Sequence, residues 1–174
     1  MIVVTTMDSP VGPLLLRSDG MALTGLFMAD HQGGPTEGTD WRHDDHAAPF
    51  AETKRQLAAY FAGDLRAFDL PLDLTGTPFQ RTVWAALAHI PFGETLSYGE
   101  LAKRLGNPNG SRAVGLANGR NPISIIVPCH RVIGSTGKLV GYGGGLARKK
   151  ALLAFEASVW STAPQQLSLL VDSD

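Results

Sequence analysis

Cysteine occurs once in this chain of 174 residues, at position 129. A single thiol excludes an internal disulfide and any zinc site built from several cysteines, and it fits a reducing compartment such as the cytoplasm. Long apolar runs are also missing. No stretch approaches the roughly 18 residues needed to span a bilayer, so no membrane crossing is expected. The opening Met1-Ile2-Val3-Val4-Thr5 has neither a basic leader nor a cleavage-site pattern, so no secretory signal is expected. What is present is a folding composition: apolar residues make up 44% and charged residues 18%, which supports a real core and argues against disorder. The length suits one ordinary domain, or a small domain followed by a second.

Acidic residues are scarce in one half only. Residues 1–77 carry five basic and eleven acidic residues, whereas residues 78–156 carry ten basic residues and only Glu94, Glu100 and Glu156. The near-neutral total therefore conceals an acidic half and a basic half, and the basic half points to a polyanionic partner. A chance gradient of solvated charge is the bland alternative.

The pattern along the chain predicts an α+β organisation: a small antiparallel-sheet domain over 1–77, a mainly helical domain over 78–160 and a tail over 161–174. Strand-like runs at Ile2–Thr6, Leu14–Arg17 and Leu23–Met28 alternate with turn signals. Residues 30–46 read as a polar connector. Phe50, Leu57, Ala58, Tyr60 and Phe61 fall near helical spacing, and Gly63 follows as a C-terminal stop. A short strand is expected over Phe68–Leu74, and Thr75-Gly76-Thr77-Pro78 marks the boundary.

Beyond it, Phe79, Val83, Trp84, Leu87 and Ile90 form a helical stripe. Ser97-Tyr98-Gly99-Glu100 has the form of a capping box that opens a short helix. Asn107-Pro108-Asn109-Gly110 is a turn, and Ser111 is placed to cap a second helix that runs to Gly119. Helix, tight turn, helix is the outline of a DNA-binding helix-turn-helix. Gly115 in a helix interior costs about 1 kcal/mol against alanine, so either a duplex or a neighbouring helix approaches it closely.

Ile123–Val127 reads as a buried strand ending in Pro128-Cys129-His130-Arg131-Val132. A lone cysteine is usually a small buried hydrophobe. Here an imidazole and a guanidinium adjoin it, and either positive charge favours the nucleophilic thiolate. Neighbouring side chains on an extended segment point to opposite faces, so His130 is expected to reach Cys129 through water. Glu156, on the last helix, is the candidate carboxylate to orient that imidazole. The glycine-rich run 141–145 resembles a phosphate cradle, but Leu146 stands where a P-loop needs lysine. Lys149 and Lys150 could contact phosphates but are read as solvating their helix, and His43 and His46 beside Asp44-Asp45 could hold a metal but are read as solvated loop residues.

The ordered set Arg112-Ala113-Val114-Gly115, Asn121-Pro122, Pro128-Cys129-His130-Arg131-Val132 and Gly141-Tyr142-Gly143-Gly144-Gly145-Leu146 closely resembles the O6-alkylguanine-DNA alkyltransferases, also called methylated-DNA-protein-cysteine methyltransferases. The resemblance is strong over 78–156; the first half is similar to the family's ribonuclease H-like N-terminal domain in length and strand pattern only. It implies direct, irreversible, stoichiometric transfer of an alkyl group from O6-alkylguanine, and from O4-alkylthymine, in double-stranded DNA to Cys129. No cofactor and no metal are implied.

By the same resemblance, His130 takes the thiol proton through water, Glu156 orients it, Asn121 braces the segment, and Tyr98 contacts the turned-out nucleotide and protonates the leaving guanine. Arg112 is the finger that fills the gap left by the flipped base. Gly110, Ser111, Gly115 and Ser135 complete the DNA contacts, and Tyr142, Gly143, Gly144 and Val132 form the base and alkyl pocket. Gly143 departs from the small polar residue of other members, which bears on how bulky an alkyl group fits. On the residues alone two rivals stay open: a lesion-recognition or regulatory DNA-binding protein with a structural cysteine, and a cysteine hydrolase using Cys129 and His130.

Overall fold

The computed structural model describes residues 1–31, 34–35, 38 and 40–171, with side chains through residue 160. Strands β1 (Ile2–Met7), β2 (Leu14–Ser18) and β3 (Leu23–Met28) form the expected antiparallel meander, with Val4 opposite Arg17 and Leu16 opposite Leu26. In β2 the buried positions are Leu14, Leu16 and Ser18, the period of two of a sheet with one face on the core. Part of the expected connector is a strand: β4 (Trp41–His43) pairs parallel with β1, giving the order β3-β2-β1-β4. Three residues without apolar alternation carry no strand signal of their own; the open edge of β1 recruits them.

Helix α1 (Phe50–Phe61) buries Phe50, Thr53, Leu57 and Tyr60. It stops where Gly63, at φ +83°, donates its N–H to the Tyr60 carbonyl at 3.0 Å. The strand expected over Phe68–Leu74 does not form. That segment makes one isolated parallel bridge, with Leu23 N–H donating to Pro71 O and Asp73 N–H to Leu23 O at 2.8 and 2.9 Å; Pro71 has no N–H with which to extend a ladder.

Helix α2 (Pro78–Leu87) opens on a full capping box. Thr77 Oγ1 accepts from Gln80 N–H at 3.1 Å, and Gln80 Oε1 accepts from Thr77 N–H at 3.0 Å. At Ser97, where a box is expected, only the hydroxyl half forms, from Glu100 N–H at 3.0 Å. Strand β5 (Leu96–Ser97) pairs parallel with β6 (Val132–Ile133). Helices α3 (Tyr98–Arg104) and α4 (Ser111–Gly119) pack together as the helix-turn-helix. Ser111 is the first helical residue of α4, not its cap; Gly110 takes the cap position and no side chain caps the end. Trp84 Nε1 donates to Ala117 O at 2.8 Å, which anchors α4 on α2.

Helix α5 (Leu146–Val171) closes the chain. Buried side chains of both halves, from Leu14 and Tyr60 to Trp84, Val114 and Ile123, join in one core cluster. Among the described residues no helix is long and apolar enough to cross a membrane.

Candidate active site

Asn121 organises the segment that carries the cysteine. Its Nδ2 donates to Val127 O at 2.8 Å and its Oδ1 accepts from Ile123 N–H at 3.0 Å. These bonds fold residues 121–127 into a compact loop, where the apolar pattern predicts a strand; Ile125 adopts a positive φ of +71° within it. The loop is docked on β3, with Leu26 N–H donating to Pro122 O at 2.9 Å and Ser124 N–H to Leu26 O at 3.2 Å. Cys129, His130 and Arg131 then make one turn of 3₁₀ helix, all three buried. They are not alternating strand positions, so the strand geometry expected to separate Cys129 from His130 is absent. Asn118, on α4, donates from Nδ2 to Cys129 O at 3.3 Å.

Glu156 is the electrostatic centre of this region. Its Oε1 accepts from His130 Nε2 at 2.8 Å, from Arg131 Nη2 at 2.8 Å and from Tyr60 Oη at 2.9 Å, while Oε2 accepts from Arg131 Nε at 2.9 Å. Burial works against its charge, but the bonds from His130 and Arg131 hold its carboxyl at about 2. Burial also pushes the His130 imidazolium below its ordinary range, against the pull of Glu156. A neutral imidazole bonded to a carboxylate through Nε2 carries its proton there. That leaves Nδ1 as a free base, and Nδ1 is buried without a hydrogen-bond partner.

The thiol differs from the sequence expectation. Burial raises Cys129 above the ordinary thiol range; Asn121 and the charge of Lys149 pull it partly back. Arg131 does not activate it, because its guanidinium is bound to Glu156 and, through Nη1, to Ile90 O at 2.7 Å. The resting pair is therefore thiol and neutral imidazole.

Lys149 corrects a second expectation. It is fully buried, and Nζ donates to Val140 O at 3.1 Å and Gly141 O at 3.3 Å. Tyr98 Oη donates to the same Val140 carbonyl at 3.1 Å. The ammonium thus ties the glycine-rich wall to α5 beside Tyr98, whose ring centroid is 5.8 Å away.

Cys129 opens on a narrow cavity lined by His31, Asn118, Gly119, Asn121, Ser124, Gly141, Tyr142 and Gly143, with about 10 Å³ free for a water centre, room for about one water. Among the described residues, the buried side-chain atoms lacking a hydrogen-bond partner are His31 Nδ1, Asn118 Oδ1, Ser124 Oγ, Tyr142 Oη and His130 Nδ1. Four of these five are on residues that line the cavity. Unsatisfied buried polar atoms are rare, and here most of them gather around the cysteine. Two expected pocket residues lie elsewhere. Val132 is in the core opposite Leu96, and Gly144 packs against Met28, whose sulfur would lie 2.4 Å from a Cβ at 144.

Three of the expected DNA residues are exposed side chains. Ser111 and Arg112 are exposed on the first turn of α4, and Ser135 is exposed in the turn closed by Gly134 N–H to Lys138 O at 2.8 Å. A Cβ on Gly115 would meet Tyr98 at an ordinary 3.7 Å, so packing within the protein does not demand glycine there. At Gly110 a Cβ would lie 2.2 Å from Asn107 Nδ2, so a side chain there would displace the exposed amide of Asn107. No cluster of three or more potential metal-ligating side chains occurs among the described residues.

Sequence reading passed over Tyr60, Asn118, Ser124 and His31 as site residues, and gave Arg131 to the thiol rather than to Glu156. Lys149 and Glu156 could have been linked: with Leu152 they occupy i, i+3 and i+7 on α5, one buried face.

Two family descriptions match. Residues 78–158 match "6-O-methylguanine DNA methyltransferase, DNA binding domain", and residues 2–74 match "6-O-methylguanine DNA methyltransferase, ribonuclease-like domain". The methylated-DNA–protein-cysteine methyltransferase of Mycobacterium tuberculosis is 56% identical over 169 residues, 97% of this chain and 99% of that protein. The protein of the same name from Methanosarcina acetivorans is 52% identical over 151 residues, 87% of this chain and 96% of its own. The crystal structure of Mycobacterium tuberculosis OGT in complex with DNA superposes with a TM-score of 0.85 at 55% identity, covering 90% of this chain and 94% of that one.

Proposed function

Because this chain belongs to the 6-O-methylguanine DNA methyltransferase family, we propose that it repairs methylated DNA by moving the alkyl group of O6-alkylguanine onto Cys129. The observation that carries the residue assignment is the buried His130–Glu156 pair at 2.8 Å, whose free Nδ1 sits one residue from the only cysteine.

His130 Nδ1 takes the thiol proton through a water. Glu156 stabilises the imidazolium that forms, while Arg131 keeps that carboxylate charged. The new thiolate attacks the carbon on O6 in line: a sulfur–carbon bond forms, the carbon–oxygen bond breaks, and the electron pair leaves with the purine. Tyr98 donates its hydroxyl proton to that purine. Burial holds Tyr98 above the ordinary phenol range, so it stays protonated until negative charge develops on the leaving purine, and its phenolate regains a proton through solvent as His130 releases the one taken from the thiol. The product is a thioether that no group in the site reverses, so each molecule acts once.

The target carbon lies inside the base stack, and extruding the base costs a few kcal/mol. In this reading Arg112, exposed at the start of α4, fills the gap, and Ser111, Gly110, Gly115 and Ser135 meet the backbone. A purine is far larger than the resting cavity, so the Gly141–Gly143 wall yields as it enters. The same geometry accepts O4-alkylthymine, whose reacting carbon is also borne on an exocyclic oxygen. The single unpaired thiol fits work in the cytoplasm.

The test is intact mass and peptide mapping after incubation with duplex DNA containing O6-methylguanine. One methyl group per protein, on the Cys129 peptide, is the expected result. Repeated turnover, or methyl on another residue, overturns the assignment.

A further inference from the structure

His31 belongs to the first half of the chain, yet it lines the cavity of Cys129. A Cβ built on Gly143 would lie 2.3 Å from His31 Nε2, 2.6 Å from Cε1 and 2.9 Å from Cδ2. The imidazole thus occupies the space that a side chain at position 143 would fill. Contact rather than polar bonding keeps the ring in place. It stands edge-on to Phe27, with centroids 5.5 Å apart, and Nδ1 is buried without a hydrogen-bond partner. Its backbone is better fixed, with N–H donating to Met28 O at 3.3 Å and O accepting from Gly34 N–H at 3.0 Å.

We propose that His31 is a specificity-determining residue: its imidazole closes the Cys129 cavity over Gly143 and limits the size of the O6 substituent that the protein removes. The inference rests on the alkyl-transfer reading above and deepens it. A methyl group needs little more room than the water the cavity already admits. A benzyl group has to displace the ring. Gly143 alone would leave this wall open, since a glycine fills nothing; His31 supplies from outside the segment the bulk that residue 143 lacks.

The experiment compares single-turnover transfer from two duplexes of one sequence, bearing either O6-methylguanine or O6-benzylguanine, for the full-length wild type and for His31→Ala. The benzyl-to-methyl rate ratio should rise about tenfold or more in His31→Ala, the scale on which pocket size discriminates between substituents. His31→Trp should move the ratio the other way. A ratio within about twofold of wild type in both variants, with wild type still methylating Cys129, overturns the proposal and leaves the alkyl-transfer reading standing. Wild type that transfers neither group overturns that reading, and the proposal with it. Thermal melts give an independent check: Gly143→Ala should destabilise the wild type but not His31→Ala, because two sites that compete for one space are energetically coupled. Additive melts count against the contact.

Discussion

Tyr60 Oη and His130 Nε2 share one acceptor, Glu156 Oε1, at 2.9 and 2.8 Å. The hydroxyl comes from α1, 96 positions before the carboxylate. A residue of the acidic first half therefore helps fix the imidazole of the basic second half.

Tyr60→Phe keeps the ring and its contacts with Phe61, Phe68, Phe92 and Phe155. It removes one hydrogen bond to a charged acceptor, worth about 1.5–3 kcal/mol. Denaturant unfolding should show a loss of about that size, and single-turnover methyl transfer should slow. A lowered stability with an unchanged rate would assign the hydroxyl to the fold alone.

Glu156→Gln removes the countercharge of Arg131 as well as the partner of His130. Breaking a buried pair typically costs about 3–5 kcal/mol. The variant should therefore melt earlier and alkylate more slowly. Adding Arg131→Met should restore part of the melting temperature and none of the rate, because the uncompensated guanidinium is gone while His130 still lacks its carboxylate. Recovery of the rate in the double variant would mean that something else orients the imidazole.

Acid should weaken the protein over two pH windows. His130 resists protonation in the folded state but takes a proton near its ordinary 6.5 when unfolded. Its contribution is thus present above about pH 6.5 and lost as pH falls below it. Glu156 is held at about 2 against an ordinary 4.5, so its contribution is present above pH 4.5 and drains away toward pH 2. Urea midpoints measured across this range should fall in both windows, with His130→Gln flattening the upper one and Glu156→Gln the lower. Identical profiles for wild type and variants would remove both groups from the account.

Arg112 is exposed and makes no hydrogen bond or ion pair to the rest of the protein among the described residues. Arg112→Ala should leave the melting temperature close to wild type. Transfer from duplex DNA should fall far more than transfer from a single strand carrying the same lesion, where the base is already unstacked. Equal losses on the two substrates would take the finger role away from this side chain.

Much of the chemistry was legible because it is local. Cys129 and His130 are adjacent, Asn121 braces its loop through Val127, six positions on, and Glu156 lies on the helix expected to carry it. What escaped depends on long-range placement. Tyr60 reads as one more aromatic in the stripe of α1, and only the docking of that helix on α5 turns its hydroxyl toward Glu156. Lys149 reads as a solvated cation because lysine is so seldom buried; here it has two carbonyls to bind inside. The run Ile123–Val127 has the composition of a strand, but side-chain bonds from Asn121 take the amide and carbonyl that a ladder would use. Thr77 and Gln80 form a capping box with glutamine in place of glutamate, a weaker signal than the one at Ser97, and the only one of the two that closes.

The shared oxygen of Glu156 also bears on modularity. The shift from acidic to basic composition at Thr75–Pro78 invites recombination there, and a graft of another first half would keep every residue of the cysteine loop. It would nonetheless arrive with its carboxylate short of a donor unless the incoming helix presented a hydroxyl where Tyr60 stands. Exchange of halves between relatives is therefore constrained by one phenol, a condition that neither half reveals when viewed alone.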